Sequence, residues 1–155
     1  MFLSKVFSLV LLIGLLHVVV QAEYSWYGPG NGYVYFVINT NMDYDEAESQ
    51  CRIYGATLAV QGPKDRKTMK KINERLPVTT REAYWIGLTD RVTNGQFIWG
   101  DGTPLTNKQK NWRVNEPSNY GGYEDCVGEN FSHSLKWNDY PCDYGELYAL
   151  CERPE

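Results

Sequence analysis

Glu116-Pro117-Ser118-Asn119-Tyr120-Gly121-Gly122-Tyr123-Glu124-Asp125-Cys126, and then Trp137-Asn138-Asp139-Tyr140-Pro141-Cys142, are the two stretches that decide how this chain reads. Carboxylates and amides crowd both, and each ends at a cysteine. A cross-link between those cysteines would bring the stretches together and line a pocket with side-chain oxygens. Hard cations such as calcium favour that environment, taking roughly 6–8 oxygen ligands at about 2.3–2.6 Å.

The rest of the chain bounds this reading. Its 155 residues suggest one domain. Met1 to Ala22 carries Lys5, an apolar run from Val6 to Leu16, then Val18 to Val20, and ends in Val20-Gln21-Ala22. That is the pattern of a secretory signal peptide. The apolar run is shorter than the roughly 20 residues a membrane-spanning helix needs. The expectation is a secreted, extracellular protein with no membrane insertion. Residues 23–32, rich in Gly, Pro, Tyr and Trp, read as an extended lead-in, and residues 33–155 as the domain. Cleavage removes Lys5 and no acid, moving the formal net charge from -4 to -5. Nucleic-acid binding needs Lys and Arg to neutralise phosphates, so an acidic chain is a poor candidate for it. Cys51, Cys126, Cys142 and Cys151 all lie in the mature part, an even count that implies two disulfides. The spacing alone leaves three pairings open.

Tyr33-Val34-Tyr35-Phe36-Val37-Ile38 is β-branched and aromatic and reads as a strand. Asn39 to Asp43 offers several cap residues. Tyr44, Ala47, Cys51 and Tyr54 then recur as one face of an amphipathic helix, which Gly55 ends. Ala56 to Val60 reads as a short strand and Lys64 to Leu76 as a second helix, with Met69, Ile72 and Leu76 inward and Pro77 as its stop. Trp85-Ile86-Gly87-Leu88 is a buried strand, Asn94-Gly95 a tight turn and Phe97 to Trp99 another strand. Gly100 to Gly122 is a long polar loop, of the kind that in a compact domain is usually functional or disordered. Cys126-Val127 and Leu147 to Cys151 read as the last strands, with Trp137 to Tyr144 between them. Helices early and short strands late make the class α+β.

Taken in order, Trp85-Ile86-Gly87-Leu88, the Glu-Pro-x triplet at Glu116, the Glu124-Asp125-Cys126 step, Trp137-Asn138-Asp139 and the terminal Cys151 resemble the C-type lectin-like domain. The resemblance covers Tyr33 to Glu152. It implies two helices flanking antiparallel sheets, disulfides Cys51–Cys151 and Cys126–Cys142, and a long loop region that holds calcium and sugar. Its principal calcium site falls on Glu116, Ser118, Glu124, Asn138 and Asp139. Pro117 takes the position of a cis peptide. Sugar hydroxyls would replace water on the ion and bond the same side chains, so Glu116, Ser118, Tyr120, Glu124 and Asn138 are the expected carbohydrate contacts. A second calcium site falls on Asp90, Asn94, Asn119, Glu124 and Asp125, with Asn94 and Asn119 in place of acids; lower ligand charge weakens calcium binding.

Ser118 departs from the family's usual Asn (mannose-type) or Asp (galactose-type), and its hydroxyl is the shorter and weaker ligand. Glu116 followed by a neutral donor keeps the mannose-type order. Tyr120 beside Gly121-Gly122 stands where galactose-type members place a stacking aromatic. Both sugars stay open. Asn130-Phe131-Ser132 is an N-glycosylation acceptor pattern. His133 is the one histidine left after cleavage, which leaves little for a catalytic triad. A glycosidase needs an acid of raised pKa, whereas calcium lowers the pKa of its ligands. The expectation is therefore no enzyme, but a lectin for glycans of microbial or self origin, as in innate immunity. Its alternative is a module of the same fold that binds protein, ice or mineral. A single shallow site gains from linked copies, and with no spare cysteine a non-covalent homodimer is expected.

Overall fold

The computed structural model describes residues 25–76, 83–130 and 134–155. The expected signal peptide, the Pro77 helix stop and His133 lie outside them. β1 (Tyr33–Met42) is followed by α1 (Tyr44–Ile53), β2 (Thr57–Leu58), α2 (Arg66–Asn73), β3 (Ala83–Thr89) and β4 (Ile98–Trp99). After a long loop come β5 (Cys126–Asn130), β6 (Lys136–Tyr140) and β7 (Leu147–Pro154). The strands form one sheet in the order β1-β7-β3-β5-β6, with β2 added to β7 and β4 to β3. β3 and β7 run parallel and the other pairings are antiparallel. The two-helix α+β architecture is the expected one.

Local chemistry sets the helix starts. Asp43 caps α1 in a reciprocal capping box with Glu46, satisfying donors that the first turn leaves open. Asp65 caps α2 by accepting from the Thr68 amide at 3.0 Å, so this helix begins at Arg66 rather than at Lys64. Lys64 instead turns to Asp101 and Thr103. α1 buries Tyr44, Ala47 and Cys51, as its spacing predicts. Gly55, at φ +65°, takes the left-handed position that ends such a helix.

β3 is buried on both faces and divides the core. Tyr84, Ile86 and Leu88 join Ile72, Trp99 and Trp137 on the side of α2. Ala83 and Trp85 face the other way, towards Tyr44, Ala47 and Ala149 on the side of α1. Gly87 is needed here because a Cβ would meet Val60 Cγ2 at 2.9 Å and the Leu58 carbonyl at 3.0 Å. Both disulfides form as the resemblance implies, with Cα–Cα distances of 5.5 Å for Cys51–Cys151 and 5.1 Å for Cys126–Cys142. The lead-in joins the fold: Tyr27 and Tyr35 exchange two backbone hydrogen bonds of 2.8 Å, and Trp26 packs on Phe36. Among the described residues no helix is long and apolar enough to cross a membrane.

The region from Trp137 to Tyr144 differs from its expected role as a connection. Its first part is β6, paired in full with β5 from Cys126↔Tyr140 to Asn130↔Lys136. Polar Asn138 and Asp139 mask the strand in the sequence, because only Trp137 among the first four of its residues is apolar.

Glu129 lies fully buried between α2 and the sheet. It accepts from Trp137 Nε1 at 3.1 Å and from Asn73 Nδ2 at 3.1 Å, and the Tyr84 hydroxyl lies 3.1 Å from it. Burial pushes its carboxyl from 4.5 up to about 7, against the pull of those three partners. The folded state therefore holds a proton that the unfolded chain loses near pH 4.5. This contribution to stability is full below pH 4.5 and is lost as pH rises through about 7. Urea unfolding of wild type is expected to show lower stability at pH 8 than at pH 5. E129Q sets an amide against the Trp137 N–H, so it should be less stable at pH 5 by about 1–3 kcal/mol and lose less between the two pH values. An unchanged pH slope in E129Q would remove Glu129 as the cause.

Candidate functional site

The loop from Gly100 to Asp125 is fastened to the sheet at several points. Leu105 N–H donates to the Phe97 carbonyl at 2.9 Å. Further on, the Trp137 N–H donates to the Asn111 carbonyl at 3.0 Å, and the Arg113 N–H to the Trp137 carbonyl at 2.9 Å. The loop thus lies along the outer edge of β6. Trp112 packs edge-on against Trp137, as does Trp99, each at a centroid distance of 5.6 Å. Trp112 is thereby the loop's attachment to β6.

β6 alternates, burying Trp137 and Asp139. Trp137 is held in the core, so Asp139, two residues on, points inward under the loop. Its Oδ1 accepts from the Ser118 N–H at 3.0 Å and its Oδ2 from the Asn119 N–H at 2.7 Å. The Glu116–Pro117 bond immediately before them is cis. Glu124 closes the same turn from the other side. Its Oε2 accepts from the Ser118 hydroxyl at 2.9 Å and from the Tyr120 N–H at 2.6 Å, while its own N–H donates to Asn119 Oδ1 at 3.2 Å. Asn138 donates from Nδ2 to the Asp139 carbonyl at 2.7 Å.

The structure thus brings Glu116, Ser118, Glu124, Asn138 and Asp139 into one neighbourhood. Glu116 Oε2 is buried with no hydrogen-bond partner among the described residues. Burial raises the Glu116 carboxyl above its ordinary range; the nearby Asp139 carboxylate pushes the same way and Ser118 opposes both. Among the described residues, no group of three or more Asp, Glu, His or Cys side chains stands assembled for a metal ion. The reason is visible in the contacts: Asp139 and Glu124 face loop amides. The donors are nevertheless all oxygens, and one of them is the buried carboxylate oxygen of Glu116 that has no hydrogen-bond partner among the described residues. This donor set suits a hard cation.

The second expected group is looser. Asp90 is buried, accepts from the Gly95 N–H at 2.6 Å through Oδ2, and leaves Oδ1 without a hydrogen-bond partner among the described residues. Burial raises its carboxyl, the Gly95 N–H opposes that shift, and Asp125 adds to it. The Asp90 N–H donates to the Asp125 carbonyl at 3.1 Å, and Asn119 reaches Glu124. Asn94 is exposed, and among the described residues no hydrogen bond joins its side chain to the other four.

Tyr120 stands 75% exposed, on a turn whose residues Gly121 and Gly122 lie at φ +71° and +80°. A Cβ on Gly121 would come within 2.2 Å of the Tyr123 ring, so that ring packs over the glycine. Asn130 is half-buried and donates from Nδ2, the atom a glycan would occupy, to the Tyr140 hydroxyl at 2.5 Å.

The fold and its oxygen-lined loop define a C-type lectin-like domain. The family described as "Lectin C-type domain" matches residues 40–153. Collectin-10 of Xenopus tropicalis is 36% identical over 118 residues, covering 76% of this chain but only 41% of that protein's length. The alpha-N-acetylgalactosamine-specific lectin of Patiria pectinifera is 31% identical over 149 residues, covering 83% of this chain and 84% of that one. Among solved structures, the C-type lectin domain of murine dendritic cell inhibitory receptor 2 in complex with N-glycan superposes with a TM-score of 0.73 at 26% identity, covering 87% of this chain and 100% of that one. The chain belongs to the C-type lectin domain family, a carbohydrate-binding and non-enzymatic domain type.

D139N keeps one acceptor and turns an N–H donor against a loop amide. It is expected to cost about 1–3 kcal/mol and to speed hydrogen exchange at Ser118 and Asn119 while Trp85 stays protected. Unchanged exchange at those two amides would show that Asp139 does not hold the loop.

Proposed function

We propose that this protein is a secreted, calcium-dependent lectin whose preferred ligand is a terminal galactose-type sugar. The exposed Tyr120 ring carries the sugar assignment. Its backbone is tied to Glu124, so the ring is presented beside the carboxylates of the loop. An aromatic face suits the apolar face of galactose, and the Patiria relative's name supports a sugar of this type.

Calcium would be held by Glu116, Glu124, Asn138 and Asp139, with the Ser118 hydroxyl as a further oxygen. When bound, it supplies positive charge to which sugar hydroxyls attach in place of water. Glu116 and Glu124 accept from those hydroxyls, and charge-assisted bonds of this kind are the stronger ones. Asn138 donates through its amide. Asp139 holds the loop and, with Glu116, supplies negative charge. Asp90, Asn94, Asn119, Glu124 and Asp125 form a weaker second cation group. The apolar leader carries the proposal of secretion. A non-covalent homodimer raises avidity, and light scattering on the mature chain measures it.

A second reading, a mannose-type sugar, draws on the neutral Ser118 after Glu116. The mature protein should be retained on galactose resin more strongly than on mannose resin and released by a calcium chelator. Y120A should weaken galactose binding by roughly tenfold, the scale of a lost aromatic contact, with little effect on calcium affinity. Preferential retention on mannose resin with Y120A unchanged would replace the galactose reading. Failure to bind either sugar at saturating calcium would overturn the lectin proposal.

A further inference from the structure

Basic residues are unevenly placed in this acidic chain. Residues 64–75 hold six Lys or Arg against two acids, and residues 106–113 hold three against none, in a protein of formal net charge -4. The fold brings these segments to one face. Arg66 donates from Nη2 to the Lys110 carbonyl at 2.6 Å. Lys136 donates from Nζ to Asn111 Oδ1 at 2.9 Å. Between α2 and the start of β6 lies an open cleft of about 210 Å³, lined by Arg66 and Lys136 together with Met69, Asn111 and Leu135.

The charge on this face is largely uncompensated. Lys64 is matched by Asp101 and Lys70 by Glu74 at 4.0 Å. Among the described residues, no acid lies within salt-bridge distance of Arg66, Lys67, Lys71, Lys110 or Lys136. Lys67, Lys70 and Lys71 are exposed, and helical spacing sets Arg66 beside Lys70 and Lys67 beside Lys71, one turn apart. A concentrated positive face on an acidic protein attracts a polyanion and repels the protein's own acidic surfaces.

We propose that this cleft and the adjoining face of α2 are a second carbohydrate-binding site, for a sulfated polysaccharide. Arg66 offers a planar fork to a sulfate, and the lysines supply point charges along the chain of sugars. The half-buried Leu135 offers apolar surface at the cleft to a sugar ring, over a floor that includes the buried Met69. Single-stranded nucleic acid is the weaker fit, because its recognition uses exposed aromatics. The exposed aromatics of the described residues, Tyr120, Tyr123 and Tyr144, lie outside this face, and Trp112 is packed between Phe97 and Trp137. The site is distinct from the oxygen-lined turn at residues 116–124: Lys136 and Asp139 are three strand steps apart on β6, roughly 10 Å, and the turn over Asp139 is acidic.

The test is binding of a heparin octasaccharide to the mature protein in the presence of a calcium chelator, which silences the loop. Binding is expected to persist in chelator and to weaken steeply between roughly 0.05 and 0.5 M salt as charges are screened. K67E/K110E, two exposed positions, should weaken it by roughly tenfold or more, at the scale of surface lysines facing an anionic surface. R52E, on α1 away from the cleft, should leave it unchanged. Near-UV circular dichroism checks the fold, and K67Q/K71Q replaces the first variant if that one unfolds. Three results would each overturn the proposal: no binding at low salt, affinity unaffected by the α2 substitutions, or stronger binding of single-stranded DNA of equal charge.

Discussion

The pleat of β6 is the constraint on which the site depends. Trp137 and Asp139 lie two residues apart and so point to the same side of the strand. Trp137 is locked between Trp99, Trp112 and the Glu129 carboxylate. That packing leaves Asp139 one direction to face, beneath the loop, where its two oxygens receive two consecutive amides. A buried carboxylate is costly unless it is hydrogen-bonded, so the loop backbone and Asp139 stabilise one another.

The remaining loop contacts build outward from that pair. Glu124 gathers the Ser118 hydroxyl and the Tyr120 amide, and the Cys126–Cys142 disulfide ties the start of β5 to the chain just beyond β6. Ser118, shorter than the side chain the resemblance leads one to expect there, is built into the turn. Its amide and its hydroxyl are both used within the turn, whatever the side chain adds to a cation. Burial raises the carboxyls of Glu116 and Asp90, and the neighbouring carboxylates add to the shift.

Electrostatics also divides the surface. The acids of the loop and the cations of α2 and residues 106–113 occupy different faces, with β6 linking them. Net charge alone concealed this. A net charge of -4 excludes a uniformly basic protein but says nothing about where the fifteen Lys and Arg residues gather.

Much of the fold was legible in the sequence. Apolar spacing located α1, α2, β1 and β3, because burial on one face, or on both faces for β3, leaves a periodic trace. Cap residues and Gly55 marked ends, because terminal amides and left-handed backbone demand particular residue types. The oxygen-rich composition of the loop, and the order of the Glu-Pro-Ser, Glu-Asp-Cys and Trp-Asn-Asp motifs, was equally plain. Residue order could not show that Trp137-Asn138-Asp139 is a strand, since its buried carboxylate looks like a loop residue until its partners are known. Nor could it show that Trp112 joins the loop to β6, that Glu129 is enclosed by Asn73, Tyr84 and Trp137, or that Arg66 meets the 110–111 segment. These contacts join residues far apart in the chain. Local sequence determines local geometry, whereas the partner of a buried polar group and the neighbour of a surface charge are decided only when the sheet closes.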